Sequence, residues 1–301
     1  MKKRKSPKLL RTLMAVLVAS ALWTTYGFFQ PLQAAAGGNE VCNECHQEVV
    51  EEFQTSFHGR AWSGMGKASG CQSCHGSADK HQDDPSKETI ITFGKDSLQS
   101  AAEQSKRCLD CHSKSVNLAF WEMGEHLAND VTCTNCHSIH QPRNVVRQPE
   151  TCSGCHRSTR TQINKQSHHP IIEGKVKCSD CHNPHGSLSE GMLVAENVNQ
   201  LCYQCHADKR GPFIWEHSPV EEDCTICHDP HGSRYDKLMT QRIPNLCQDC
   251  HGDDSHHDDS YDGTRGFNGS SPSAFALGRS CLNCHSLIHG STYFEKRGLT
   301  K

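Results

Sequence analysis

One short pattern, Cys-x-x-Cys-His, recurs ten times in this 301-residue chain and uses all 20 of its cysteines. The copies are Cys42, Cys45, His46; Cys71, Cys74, His75; Cys108, Cys111, His112; Cys133, Cys136, His137; Cys152, Cys155, His156; Cys178, Cys181, His182; Cys202, Cys205, His206; Cys224, Cys227, His228; Cys247, Cys250, His251; and Cys281, Cys284, His285. Two thiols three residues apart fall on one side of a helical turn, where they can form thioethers with the two vinyl groups of one porphyrin. The histidine that follows lies beneath the ring and offers its imidazole to iron. This is the attachment signal for c-type haem. Zinc would pair the motifs as four-cysteine sites and would need no histidine after every second cysteine. A redox dithiol would not be repeated ten times. The pattern points to ten covalently bound haems, with no cysteine left for a disulfide, a cluster or a reactive thiol.

Composition agrees. Only 35% of the residues are hydrophobic and 6% aromatic, and the mean hydropathy is −0.67. A chain of this length normally buries a large apolar core, and this one lacks the side chains for it. Ten porphyrin faces supply the missing apolar surface, so the apoprotein is expected not to fold. The expected fold class is a multihaem cytochrome c: short α-helices and coil wrapped around an elongated chain of haems, with little or no β structure. Motif starts lie between 19 and 37 residues apart, the spacing of a repeat array. The intervening loops carry Gly, Pro, Asn and Asp, without runs of alternating β-branched residues. Gln99 to Leu109 has helix-forming composition and leads into the third motif.

Residues 1–36 read as a cleaved secretory signal. Lys2, Lys3, Arg4, Lys5, Lys8 and Arg11 form a basic region, Leu13 to Leu22 an apolar stretch too short to span a membrane, and Ala34-Ala35-Ala36 a small-residue cleavage site. Export fits the chemistry of c-type haem attachment and implies a periplasmic location. Removing those six basic residues takes the formal net charge from −3 to −9. That balance argues against nucleic acid or an anionic membrane face as partner.

Twelve histidines remain outside the motifs. With the motifs grouped in consecutive twos, each group has a spare histidine between its motifs and another after the second. These are His58 and His81, His126 and His140, His168 and His185, His217 and His231, His257 and His289. Each is expected to be the second axial ligand of a haem, which makes every iron bis-histidine. Two places offer adjacent choices. His168 is preferred over His169 because His168-His-Pro aligns with His217-Ser-Pro, and His257 over His256 because it lies six residues after His251, as His81 does after His75. His140, His185 and His231 follow a proximal histidine by three residues and His289 by four. A residue that close lies on the proximal side of its own haem, so each should ligate a neighbour. Pro184 and Pro230 stiffen this step by fixing φ. Met65, Met123, Met192 and Met239 then become packing residues.

Three segments carry a resemblance: His168-His-Pro-Ile-Ile-Glu-Gly through the motif at Cys178 to Asn-Pro-His-Gly, His217-Ser-Pro-Val through the motif at Cys224 to Asp-Pro-His-Gly, and Cys281-Leu-Asn-Cys-His-Ser-Leu-Ile-His-Gly. With ten motifs, the chain resembles the DmsE/MtrA-type (MtrA/PioA-like) periplasmic decahaem c-type cytochromes over essentially its whole mature length. The resemblance implies an electron carrier rather than an enzyme, built as two related pentahaem halves that meet near residues 157–170. It implies docking into an outer-membrane β-barrel porin (MtrB-like). It also implies a periplasmic or inner-membrane cytochrome donor and delivery to an extracellular multihaem cytochrome or a terminal reductase. The alternatives are a multihaem reductase of a small oxyanion or S-oxide, and a soluble electron store. Some multihaem reductases replace the proximal histidine by lysine, whereas all ten motifs here end in histidine.

Overall fold

The computed structural model describes residues 40–65, 70–142, 146–251, 280–283, 285–294 and 299. The signal segment, Cys284, His256 and His257 lie outside them. In nine motifs the histidine N–H reaches back to the carbonyl of the first cysteine and closes one tight turn. The bond measures 2.8 Å at His46, 2.9 Å at His75, His137, His182, His206, His251 and His285, 3.0 Å at His156 and 3.1 Å at His228. At His112 the motif is the last turn of the helix Ala101–His112.

That helix covers the stretch expected from composition but starts two residues later. Ser100 caps it, accepting from the Glu103 N–H while the Glu103 carboxylate accepts from the Ser100 N–H at 2.8 Å. Four motifs form 3₁₀ turns instead, at Cys133–Asn135, Cys178–Asp180, Cys224–Ile226 and Cys281–Asn283. A preceding side chain nucleates the turn at Cys224, where Asp223 Oδ1 accepts from the Thr225 N–H at 2.6 Å.

The fold class is the expected one. Among the described residues there are short helices, coil and isolated bridges such as Ser167–Ser233 and Trp215–Ser291, with no strand. None of the described helices is long and apolar enough to cross a membrane. Among the described residues buried apolar side chains are few: Val50, Phe53, Ala78, Ala101, Trp121, Ile163 and Ile171. That is too little apolar burial to hold so long a chain.

The chain divides into two compact units, Met1–Leu98 with Ser138–Asn144, and Gln99–His137 with Val145–Lys301. In the first, the helices Gln47–Thr55 and Phe57–Met65 pack together. Phe53 lies between the Trp62 ring at 5.7 Å and the His140 ring at 6.2 Å.

The second unit is organised by three corners of one design. Asn183 Oδ1 accepts from the His185 N–H at 3.1 Å, and Asn183 Nδ2 donates to the Gly186 carbonyl at 2.7 Å. Gly186 has φ +103°, and a Cβ there would stand 2.5 Å from the Phe120 carbonyl oxygen. The corner ending at Gly232 (φ +150°) presses as closely on the Gln162 carbonyl, and the one ending at Gly290 (φ +129°) on the Phe213 ring, each at 2.1 Å. Glycine is required on both counts, backbone angle and space. Gly232→Ala is expected to destabilise the protein by roughly 2–4 kcal/mol, combining backbone strain with overpacking. At Gly174 (φ +72°) a Cβ would meet nothing within 4 Å, so Gly174→Ala isolates the backbone cost. Its loss should be only about 1–2 kcal/mol, and thermal unfolding of the two variants measures the difference.

Candidate haem-binding sites

Eight of the ten motif histidines face a second imidazole across a gap of constant width. In the first unit His46 faces His81 at 6.4 Å between ring centres and His75 faces His140 at 6.1 Å. In the second, His137 faces His185 at 6.1 Å, His156 faces His126 at 6.1 Å and His182 faces His231 at 5.9 Å. His206 faces His169 at 6.3 Å, His251 faces His217 at 6.1 Å and His228 faces His289 at 6.1 Å. Two imidazoles in van der Waals contact would sit closer. Two that share one metal stand roughly 6 Å apart, at two bonds of about 2.0 Å plus the distance from each nitrogen to its ring centre. The gap fits an iron and the thickness of a porphyrin.

The pairs obey a threading order. The histidine after a second-of-two motif never faces its own motif. His140, which follows the Cys133 motif, faces the Cys71 motif; His185 faces the Cys133 motif, His231 the Cys178 motif and His289 the Cys224 motif. Each reaches back two motifs and so past its own, and only the second of these is required by the short spacing. The histidines between motifs reach forward: His126 to the Cys152 motif, His169 to the Cys202 motif and His217 to the Cys247 motif. His58 packs on Trp62 at 5.3 Å between ring centres. His257 lies outside the described residues.

One expectation is corrected. Of the adjacent pair, His169 and not His168 faces a motif histidine. His168 is turned away, with Nδ1 on the Lys165 carbonyl at 2.5 Å and Nε2 on the Glu173 carboxylate at 3.1 Å. That carboxylate and the Lys165 carbonyl raise the pKa of His168. The cause is extended backbone. Ser167 is bridged to Ser233, and its hydroxyl accepts from the Leu238 N–H at 2.9 Å, so it points into the corner. Side chains alternate along extended chain, which sends His169 the same way and His168 the other. Alignment on the proline missed this.

Backbone carbonyls fix the rings. Nδ1 donates to Ile91 O at 2.8 Å from His75, to Gly191 O at 2.7 Å from His182 and to Lys237 O at 2.8 Å from His228. On the facing side Nδ1 donates to Pro184 O from His126 and to Pro230 O from His169, each at 2.7 Å. A proton held on Nδ1 leaves the Nε2 lone pair for a metal. Burial lowers the pKa of His140, His185, His231 and His289, which keeps these imidazoles neutral and able to ligate. The sequence offered no sign of these acceptors beyond the placement of proline before histidine.

The cysteines pair as well. The first cysteines of consecutive motifs come within hydrogen-bond reach: Cys42 with Cys71, Cys108 with Cys133, Cys152 with Cys178, Cys202 with Cys224, Cys247 with Cys281. As free thiols, burial and the neighbouring sulfur push Cys71, Cys152 and Cys247 up to about 11 and Cys202 up to about 12. The hydrogen bond from Cys108 draws Cys133 down to about 6. Second cysteines approach one another across the next junction, Cys136 near Cys155, Cys181 near Cys205 and Cys227 near Cys250. Grouping the motifs in twos is therefore a physical fact of the chain.

Paired thiols on one turn, with facing imidazoles held for a metal, define a c-type haem protein with many sites. Residues 168–211 and 217–256 match the doubled CXXCH motif, and residues 71–147 match the cytochrome c-type protein NrfB-like family. The chain is 40% identical over 265 residues to the multiheme cytochrome MtrA of Shewanella baltica (strain OS185), covering 85% of this chain and 79% of that one. The chain belongs to the MtrA-type multihaem c-type cytochromes.

Proposed function

We propose that this chain carries ten c-type haems, one per motif, each with two histidine ligands, and that it conducts electrons through the periplasm towards or across the outer membrane. The observation that carries the reading is the set of eight facing imidazole pairs, 5.9 to 6.4 Å between ring centres. Haem iron held between two imidazoles supplies a one-electron couple and leaves no open position for a substrate. The residues do the rest. His185, His231 and His289 each tie one motif to the motif two before it through three or four residues of backbone, which holds the linked sites close and rigid. Closeness serves electron passage, and a reductase would need an exchangeable ligand. His58 and His257 complete the ligand set, with His169 taking the place first given to His168.

The destination we propose is the one that the family resemblance implies. It is an outer-membrane β-barrel porin that shelters the chain, a periplasmic or inner-membrane cytochrome donor, and an extracellular multihaem cytochrome or terminal reductase as acceptor. The two related pentahaem halves remain part of this reading. Mass spectrometry should give ten haems per chain, and electron paramagnetic resonance of the oxidised protein should give low-spin ferric signals. A substantial high-spin signal, or cyanide binding to the native protein as fast as to an open haem, would instead favour a reductase. Bis-histidine ligation and a net-negative chain also predict a broad redox titration near or below the standard hydrogen potential. One sharp high-potential wave would defeat that.

A further inference from the structure

The corners that follow Cys178 and Cys224 repeat one another almost atom for atom, but with one residue changed. In the first, Asn183 bridges the turn with its amide: the oxygen accepts from the His185 N–H and the nitrogen donates to the Gly186 carbonyl. In the second, Asp229 Oδ1 accepts from the His231 N–H at 3.3 Å, but a carboxylate has no proton for the Gly232 carbonyl. That carbonyl receives Lys165 Nζ instead, at 3.0 Å from 67 residues away, and the same ammonium lies 3.7 Å from Asp229 Oδ2. The side chains of Lys165 and Asp229 are only 29% and 25% exposed.

Both ends of this corner hold a ring. His231, two residues from Asp229 across Pro230, faces His182; the Pro230 carbonyl receives Nδ1 of His169, which faces His206. Lys165 also opens the segment that delivers His169, whose Ser167 is bridged to Ser233 on the far side of the corner. One backbone unit therefore sets the rings of two different sites, and the donor to its Gly232 carbonyl is a lysine of the partner segment.

We propose that Lys165 is a positioning residue: with Asp229 it forms a charged equivalent of the Asn183 amide, and it holds His231 and His169 in place for two haems. This rests on the reading of His231 and His169 as axial ligands. The couple is also a lock between segments. The Asn183 corner closes on itself, whereas the Asp229 corner closes only when the 165–169 segment is seated.

The test is a rescue series on the full-length holoprotein, with cyanide as probe. Lys165→Met removes the donor and leaves the Gly232 carbonyl and the Asp229 carboxylate without it. Cyanide capture at one or two haems should become on the order of tenfold faster, as the loss of one partly buried, charged hydrogen-bonding partner implies. The corresponding low-spin paramagnetic resonance should shift. Lys165→Met with Asp229→Asn restores an amide that can donate as Asn183 does, and should return both readouts to within about twofold of the parent. Asp229→Asn alone should behave like the parent. The proposal is overturned if Lys165→Met matches the parent, or if the double variant is no better than Lys165→Met. Should Lys165→Met fail to mature, a double variant that matures supports the proposal and one that does not overturns it. His231→Ala serves as the control on the underlying reading. If it leaves every haem low-spin, the ligand assignment itself fails; if it gives one high-spin haem while the rescue fails, only the role of Lys165 does.

Discussion

His185→Ala is expected to keep every haem attached and convert one of ten to a high-spin, ligand-binding form, on the haem held by Cys133 and Cys136 and not on that of its own motif. The thioethers do not involve His185, so mass should show ten haems still bound. Its ring stands 6.1 Å from that of His137, nearly parallel at 16° between planes, while its own motif's His182 faces His231. Loss of the ring would therefore open a ligand position on the haem that His137 and His185 would hold. Oxidative damage induced by added peroxide at the open haem should map to the peptide around Cys133–His137. Damage confined to Cys178–His182, or a spectrum with ten low-spin haems, would refute the threading order. Electron passage along the chain should slow as well, because one haem shifts in potential and two motifs lose their tether.

The adjacent histidines give the second large contrast. His169→Ala should yield one high-spin haem, at Cys202 and Cys205, because His169 faces His206 at 6.3 Å. It should also free the Pro230 carbonyl that holds its Nδ1 at 2.7 Å. His168→Ala removes only the contacts with Lys165 and Glu173 and should leave the low-spin spectrum as it was. The opposite outcome, with high-spin haem from His168→Ala, would mean that proline register rather than strand alternation places the ligand.

These two variants mark how far the sequence could be read. That His185 must serve another motif was legible, because three residues of backbone cannot carry a side chain around a porphyrin. Which motif it serves was not. The chain returns from His185 to the motif that starts 52 residues earlier, past an intervening one, through contacts such as Gly186 on Phe120 that no spacing rule encodes. The helix at Ala101–His112 was legible from composition, and its start at Ser100 follows from the capping box with Glu103. His169 was misread because the two faces of an extended segment cannot be told apart until its partner is known, and here the partner is Ser233.

By itself the sequence determined what the chemistry has to work with: ten Cys-x-x-Cys-His motifs, twelve further histidines, a shortage of apolar side chains, and hence a fold of turns and coil around cofactors. Those are properties of residue type and local spacing, which act within one helical turn. The tertiary structure alone decided which imidazole faces which. It also placed the first cysteines of consecutive motifs side by side, set carbonyls such as Pro184 and Pro230 behind the rings, and gave Lys165 the part that Asn183 plays elsewhere. These depend on segments tens of residues apart meeting at corners only glycine can turn, and neither composition nor motif spacing records a meeting of that kind.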